Sequence, residues 1–143
     1  MGKFGKRNEI KLDLLKYNIG LIGESGIGKT TIIKEMLEKL AGEDGYIFLE
    51  CGKEDGADAI DGIIYENVRD WDTFEEIIDD IVENKTSDYP SLRTVAIDTY
   101  DQLLEIAKPE VIRMHNAENP DKKVKSIKAA FGGYMAGEDK ATE

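Results

Sequence analysis

The stretch Gly23-Glu24-Ser25-Gly26-Ile27-Gly28-Lys29-Thr30, continued by Thr31, holds the residues whose types and spacing most plainly suit chemistry. Its glycines let the backbone curl until successive N–H groups converge, which makes a nest for anionic oxygens. A helical pattern opens near Lys29, and a helix start places the positive end of its dipole beneath the same anion. Lys29 supplies a mobile positive charge, and the Thr30 hydroxyl is a hard oxygen suited to Mg2+. Gly23, Gly28, Lys29 and Thr30 fill every fixed position of G-x-x-x-x-G-K-[ST], a loop that cradles nucleotide phosphates. The competing reading is a glycine turn that binds nothing. An apolar run before the loop and an amphipathic pattern after it favour the cradle.

A second acid-bearing element would complete such a site. Thr94-Val95-Ala96-Ile97-Asp98 reads as a buried strand ending in a carboxylate, and Asp98 is placed to hold magnesium through water. Hydrolysis further needs a group to polarise the attacking water, and a carboxylate near the terminal phosphate is one solution. Glu50 ends the run Tyr46-Ile47-Phe48-Leu49-Glu50, and Glu54 follows in the next turn. Spacing does not choose between them, and both also read as ordinary surface acids. His115, the only histidine, has no second metal ligand beside it and reads as a helix residue. Cys51 reads as a packed side chain, Trp71 as a packing anchor, and Tyr100 as core or rim packing.

The elements that must position these residues alternate. Tyr17 to Ile22 is a short apolar run, read as a buried strand entering the loop. Ile32, Ile33, Met36, Leu37 and Leu40 lie on one helical face, and Gly42 stops that helix. Residues 46 to 50 and 94 to 98 read as further strands, and 63 to 68 as a short edge strand. Asp72 with Glu75 resembles a capping box for a helix carrying Phe74, Ile77, Ile78, Ile81 and Val82. Helical pattern returns at Tyr100, with an interruption expected at Pro109, and a short helix runs through Val124, Ile127 and Ala130. Strand–helix alternation of this kind predicts an α/β fold with a mainly parallel sheet.

A chain of 143 residues, 41% hydrophobic and 34% charged, reads as a single globular domain over 1–143, with residues 1–10 as a basic arm. No apolar run approaches the roughly 20 residues that span a bilayer, so no membrane partner is expected. The single cysteine excludes an internal disulfide and suits a reducing compartment, with the cytoplasm as the expected location. A net charge of −11 repels a polyanion unless positive side chains gather on one face. Lys3, Lys6, Arg7 and Lys11 gather at the start, and Lys122, Lys123, Lys125 and Lys128 near the end, and both groups read as solvated surface. The charge suits a nucleotide carried as its magnesium complex and argues against this chain alone gripping DNA.

With GESGIGKTT and TVAIDTYDQL both in view, the chain resembles the RecA-like P-loop ATPases of phages. These are AAA-type nucleotide-binding proteins, some of which act in DNA recombination and single-strand annealing. FLECGKEDGADAI, DWDTFEEIIDDIVENK and VKSIKAAFGGYMAG extend the resemblance over nearly the whole sequence. It implies a RecA-like three-layer αβα P-loop NTPase fold and ATP with Mg2+ as ligands. Lys29 and Thr30 would then act in the loop, Asp98 as the acid on the magnesium side, and Glu50 or Glu54 as the water activator. Homo-oligomers, a neighbouring subunit's arginine and single-stranded DNA are partners the family admits. Family members continue past the FGGY-type segment, so the resemblance implies a core incomplete on its C-terminal side. Two other readings compete: a nucleotide-binding module without turnover, and a small-molecule or nucleotide kinase, which would need an arginine-containing lid not evident here.

Overall fold

β-branched and aromatic residues make the run Tyr46–Cys51 a strand, β1, and it becomes the centre of the sheet. The computed structural model describes residues 13–53, 56–133 and 135–143. Among them β1 pairs in parallel with β2 (Tyr65–Val68) on one side and β3 (Thr94–Asp98) on the other, giving the order β2-β1-β3. The run expected at 63–68 therefore forms a strand and does lie at an edge.

Side chains alternate across this sheet and sort into two layers. Tyr46, Phe48 and Ala96 meet Ile33, Met36 and Leu37 of α1 (Lys29–Ala41). Leu49, Cys51 and Val68 meet the opposite layer, formed by α2 (Trp71–Glu83) and α3 (Tyr100–Glu118). Phe74, Ile77 and Ile78 of α2 and Leu103 and Ile106 of α3 pack there, and Trp71 sits with its ring centroid 5.1 Å from that of Phe74. The α/β class and the parallel sheet follow the sequence pattern. Because the strands are parallel, Cys51, Val68 and Asp98 all end on one edge of the sheet. Crevices outside the carboxyl ends of parallel strands are where such folds bind ligands.

Several expectations need correction. Residues 17–22 form no strand, and Tyr17, Ile19, Leu21 and Ile22 are exposed, Ile22 fully. An apolar run creates a demand for burial, but a strand also requires a hydrogen-bonding neighbour, and these residues pair with none of the described strands. The 94–98 strand is not buried on both sides: it is an outer strand, and Val95 and Ile97 remain 37% and 38% exposed. The cap of α2 is Asp70, whose side chain accepts the Thr73 N–H at 2.8 Å, so Asp72 lies inside the helix. Val82 points to solvent.

α3 runs through Pro109 without a break. The proline removes one ladder donor, while Leu103, Ala107, Val111 and His115, spaced by four, are buried on both sides of it. Packing on both sides of the proline outweighs the lost bond. The expected helix through Val124 is a 3-10 turn at Ile127–Gly132. Val124 instead has both backbone groups held by the Asn116 side chain, at 2.7 and 3.0 Å. A short helix, α4 (Ala136–Ala141), follows and packs through buried Gly137, where an added Cβ would lie 2.3 Å from the Ile127 carbonyl oxygen.

Candidate functional site

The loop between residues 23 and 28 leads directly into α1, with Gly28 as the N-cap. Gly26 and Gly28 adopt φ of 78° and 92°, the left-handed region that residues with a Cβ enter only at a cost. These two reversals within three residues turn the chain into the helix. Among the described residues, the amides of 24–28 have no acceptor within the chain. A curled backbone with free N–H groups at a helix start is an anion site in physical terms.

Lys29 folds back across the loop. Its ammonium donates to the carbonyls of Gly23 at 3.0 Å and Glu24 at 2.8 Å. Two of its three donors therefore brace the loop it serves. Gly23, Glu24, Ser25, Gly26 and Ile27 are exposed, and Gly28, Lys29 and Thr30 half-buried, so the cradle is open to a ligand. Thr31 is exposed on the first turn of α1.

Thr30 and Asp98 meet. The Thr30 hydroxyl donates to Asp98 Oδ2 at 2.6 Å, joining residues 68 apart in sequence. This contact ties the start of α1 to the carboxyl end of β3, as a two-part site requires. Both atoms are hard oxygens of the kind Mg2+ prefers. Among the described residues no three His, Cys, Asp or Glu side chains gather to hold a metal alone. That partial donor set fits Mg2+, which characteristically takes one or two protein oxygens and completes its shell with phosphate and water.

Glu50 lies alongside. In the β1–β3 register Glu50 faces Asp98, and residues two apart share a face, so Glu50 stands on the α1 side with Phe48 and Ala96. It is 1% exposed. Oε1 accepts the Ala57 N–H at 2.7 Å, while Oε2 is buried without a partner. An orphaned buried carboxylate oxygen is rare in native proteins and calls for an explanation. Glu54 lies outside the described residues, as do Lys3, Lys6, Arg7 and Lys11.

Neighbouring groups register these charges. Burial pushes the Cys51 thiol up to about 11, and the Asp98 carboxylate adds to the shift. The Tyr65 hydroxyl is raised chiefly by its hydrogen bond to Asp58, with a smaller contribution from Glu50. Cys51 is a fully buried packing residue, in keeping with its sequence reading. His115 is also structural: it is 7% exposed, its Nδ1 accepts the Phe131 N–H at 3.1 Å, and its Nε2 lies 3.3 Å from the Lys122 carbonyl. Tyr100 is 54% exposed just behind Asp98 and is not a core residue.

Arg69 is one of four arginines, none of which the sequence marks as a finger acting within the chain. It follows β2, donates to the Gly52 carbonyl, and bonds Asn67 Oδ1 at 2.8 Å. No local motif marks its contact with Gly52, which lies 17 residues away in the turn after β1.

A family model described as an AAA domain matches residues 15–137, a span that contains the loop, all three strands and both carboxylates of the site. Neither the curated proteins nor the solved structures contain a match.

Proposed function

The chain belongs to the AAA domain family, and from that premise we propose that it hydrolyses ATP with Mg2+ as a RecA-like phage protein serving DNA recombination or annealing. Family membership carries nucleotide binding and ATPase-type chemistry. The phage and recombination setting rests on the resemblance of the flanking segments. The observation that carries the catalytic reading is the 2.6 Å bond between Thr30 and Asp98.

In this reading the amides of 24–28 receive the phosphates. Lys29 exchanges its hold on the Gly23 and Glu24 carbonyls for the charge of the terminal phosphates. Thr30 and Asp98 would hold Mg2+, which when bound neutralises the charge gathering on phosphate oxygens. Glu50 or Glu54 would orient the attacking water by accepting its proton.

A second reading, nucleotide binding without turnover, is favoured by the state of Glu50. Its Oε1 is already engaged by Ala57, and the residue is withdrawn from solvent. Measurement of phosphate release from ATP with magnesium, with and without single-stranded DNA, separates the readings. Release stimulated by DNA supports the ATPase, and binding without release supports the module. Transfer only to an added small acceptor would indicate a kinase. Lys29→Ala should weaken nucleotide binding more than roughly a hundredfold, since it removes charge-assisted contacts worth about 1.5–3 kcal/mol each. Unchanged affinity would refute the phosphate-loop assignment.

A further inference from the structure

We infer that the amino edge of the sheet, opposite the phosphate loop, carries a second binding site, one that takes an organic amine with an apolar body. A cavity of about 360 Å³ opens there. Its size falls at the lower end of the roughly 300–1,000 Å³ typical of small-molecule sites. The order of the elements creates it. α2 ends at Glu83, and the chain returns from there to the start of β3, passing the starts of β1 and β2 on its way. Ile47 and Ile64 each stand one residue ahead of the register pair Phe48–Tyr65, and with Leu92 they give the cavity its apolar lining. Ile64 keeps 37% exposure, so α2 does not cover it. The returning loop is braced from within. The Asn84 carbonyl accepts the N–H groups of Ser87, Asp88 and Tyr89, and the Tyr89 carbonyl accepts the Leu92 N–H at 3.1 Å and the Lys85 ammonium at 2.8 Å. The Tyr89 hydroxyl donates to Asp80. This wall is therefore formed before any ligand arrives, which lowers the cost of binding.

Charge decides what enters. Asp44, in the turn before β1, and Asp88, in the loop before β3, both line the cavity, and no Lys, Arg or His among the described residues does. Lys85 and Arg93, the cations flanking Asp88 in sequence, spend their charge on the backbone carbonyls of Tyr89 and Leu40. The fold adds to this field. α1 begins at the carboxyl edge, where Thr30 meets Asp98, and ends where Arg93 reaches the Leu40 carbonyl, just ahead of β3. α2 likewise begins after β2 and ends before β3. Helices that run against parallel strands gather their negative dipole ends at the amino edge, as their positive ends gather at the other. An uncharged apolar molecule would leave the two carboxylates unanswered. An inorganic cation would leave Ile47, Ile64 and Leu92 facing water. An ammonium on an apolar stem answers both, and Tyr89 adds an aromatic surface of the kind that attracts a cation.

Titration of the full chain with 2-phenylethylamine, followed by two-dimensional 1H–15N NMR, tests the site. The amides of Ile47, Ile64, Ser91 and Leu92 should shift together and saturate with a Kd of about 1 mM or below, while those of the phosphate loop stay in place. Sodium chloride at the same ionic strength should reproduce none of these shifts. The neutral 2-phenylethanol should bind at least about threefold more weakly, since it forgoes the charge. Asp44→Asn and Asp88→Asn keep the side-chain shape and remove the charge. Each should weaken the amine about two- to fivefold, the range of an exposed ion pair, without changing the affinity for the alcohol. Ser91→Phe, which fills the cavity, should abolish binding of both, and D44N and D88N serve should that variant not fold. Lys29→Ala should bind the amine as the parent does, so a failure of the nucleotide reading leaves this site standing. Shifts that never saturate, that spread over the acidic surface or that sodium chloride reproduces overturn the inference. So does equal binding of the alcohol, or an affinity for the amine that neither D44N nor D88N changes.

Discussion

Replacing Thr30 with Val keeps the side-chain shape and deletes the hydroxyl that donates to Asp98 Oδ2 at 2.6 Å. Hydrogen bonds to charged acceptors contribute about 1.5–3 kcal/mol. Both side chains are half-buried, so solvent screening puts this bond at the lower end, about 1.5 kcal/mol. For a domain of this size that corresponds to a fall in melting temperature of about 6 °C. The Asp98→Ala single variant is a poorer measure, because it also removes a carboxylate lying beside Glu50 in the register and so relieves a repulsion. The T30V/D98A cycle isolates the pair, and urea unfolding without nucleotide should give a coupling near 1.5 kcal/mol. Thr30→Ser, which retains the hydroxyl, should behave like the parent. With ATP and magnesium at about a hundredfold excess over Kd, the parent should gain about 2.7 kcal/mol and T30V markedly less. A coupling below about 0.5 kcal/mol would mean that the two residues act independently, and the two-part site would fall with it.

Cys51 should resist iodoacetamide at pH 8 in the folded chain and react readily in urea, because burial holds its thiol protonated. Its folded value, about 11, lies above the ordinary 9.0, so its contribution to stability is complete below pH 9.0 and is lost as pH rises through about 11. The urea midpoint should therefore fall over that interval, and C51A should flatten that part of the profile; an identical slope would exclude the thiol as its source. Asp70 behaves oppositely, since the Thr73 N–H lowers its carboxylate below the ordinary range. Its contribution is present above the unfolded value, about 3.9, and is lost as pH falls through the lower folded value. Asp70→Ala should reduce α2 helicity by circular dichroism at pH 7, whereas D70N, which keeps a capping oxygen, should not. Equal losses in both would show that charge, not the cap bond, matters.

Legibility in the sequence followed the range of the forces involved. β1, β2 and β3 were marked by apolar runs, and α1 by its apolar stripe and the stop at Gly42, all of which act within a few residues. The phosphate loop was legible for the same reason: Gly26 and Gly28 encode their own turn. The 17–22 run was misread because its apolar content states a preference for burial without naming a strand to pair with. The break expected at Pro109 failed because a buried stripe, Leu103, Ala107 and Val111, decides the path of α3 over one missing donor. Asp70 was passed over for Asp72 because both can cap, and only the backbone of residue 70 is extended. The contact of Arg69 with Gly52 had no local signal, since Gly52 is 17 residues away and lies in a turn after β1.

Glu50 shows what register adds to spacing. From sequence Glu50 and Glu54 are equivalent, separated by a turn. Once β1 and β3 are aligned, Glu50 and Asp98 become direct partners, with backbones about 4.8 Å apart and side chains on one face. Two carboxylates so placed repel one another, and the Lys29 ammonium is engaged by loop carbonyls. In the proposed reading that face calls for positive charge, just beside a loop whose amides call for negative charge. A bare nucleotide meets only the second demand and is repelled by the acids. A nucleotide that arrives with a divalent cation meets both. In the proposed reading, nucleotide and metal affinities must then rise together, and by linkage each must strengthen the other by the same factor.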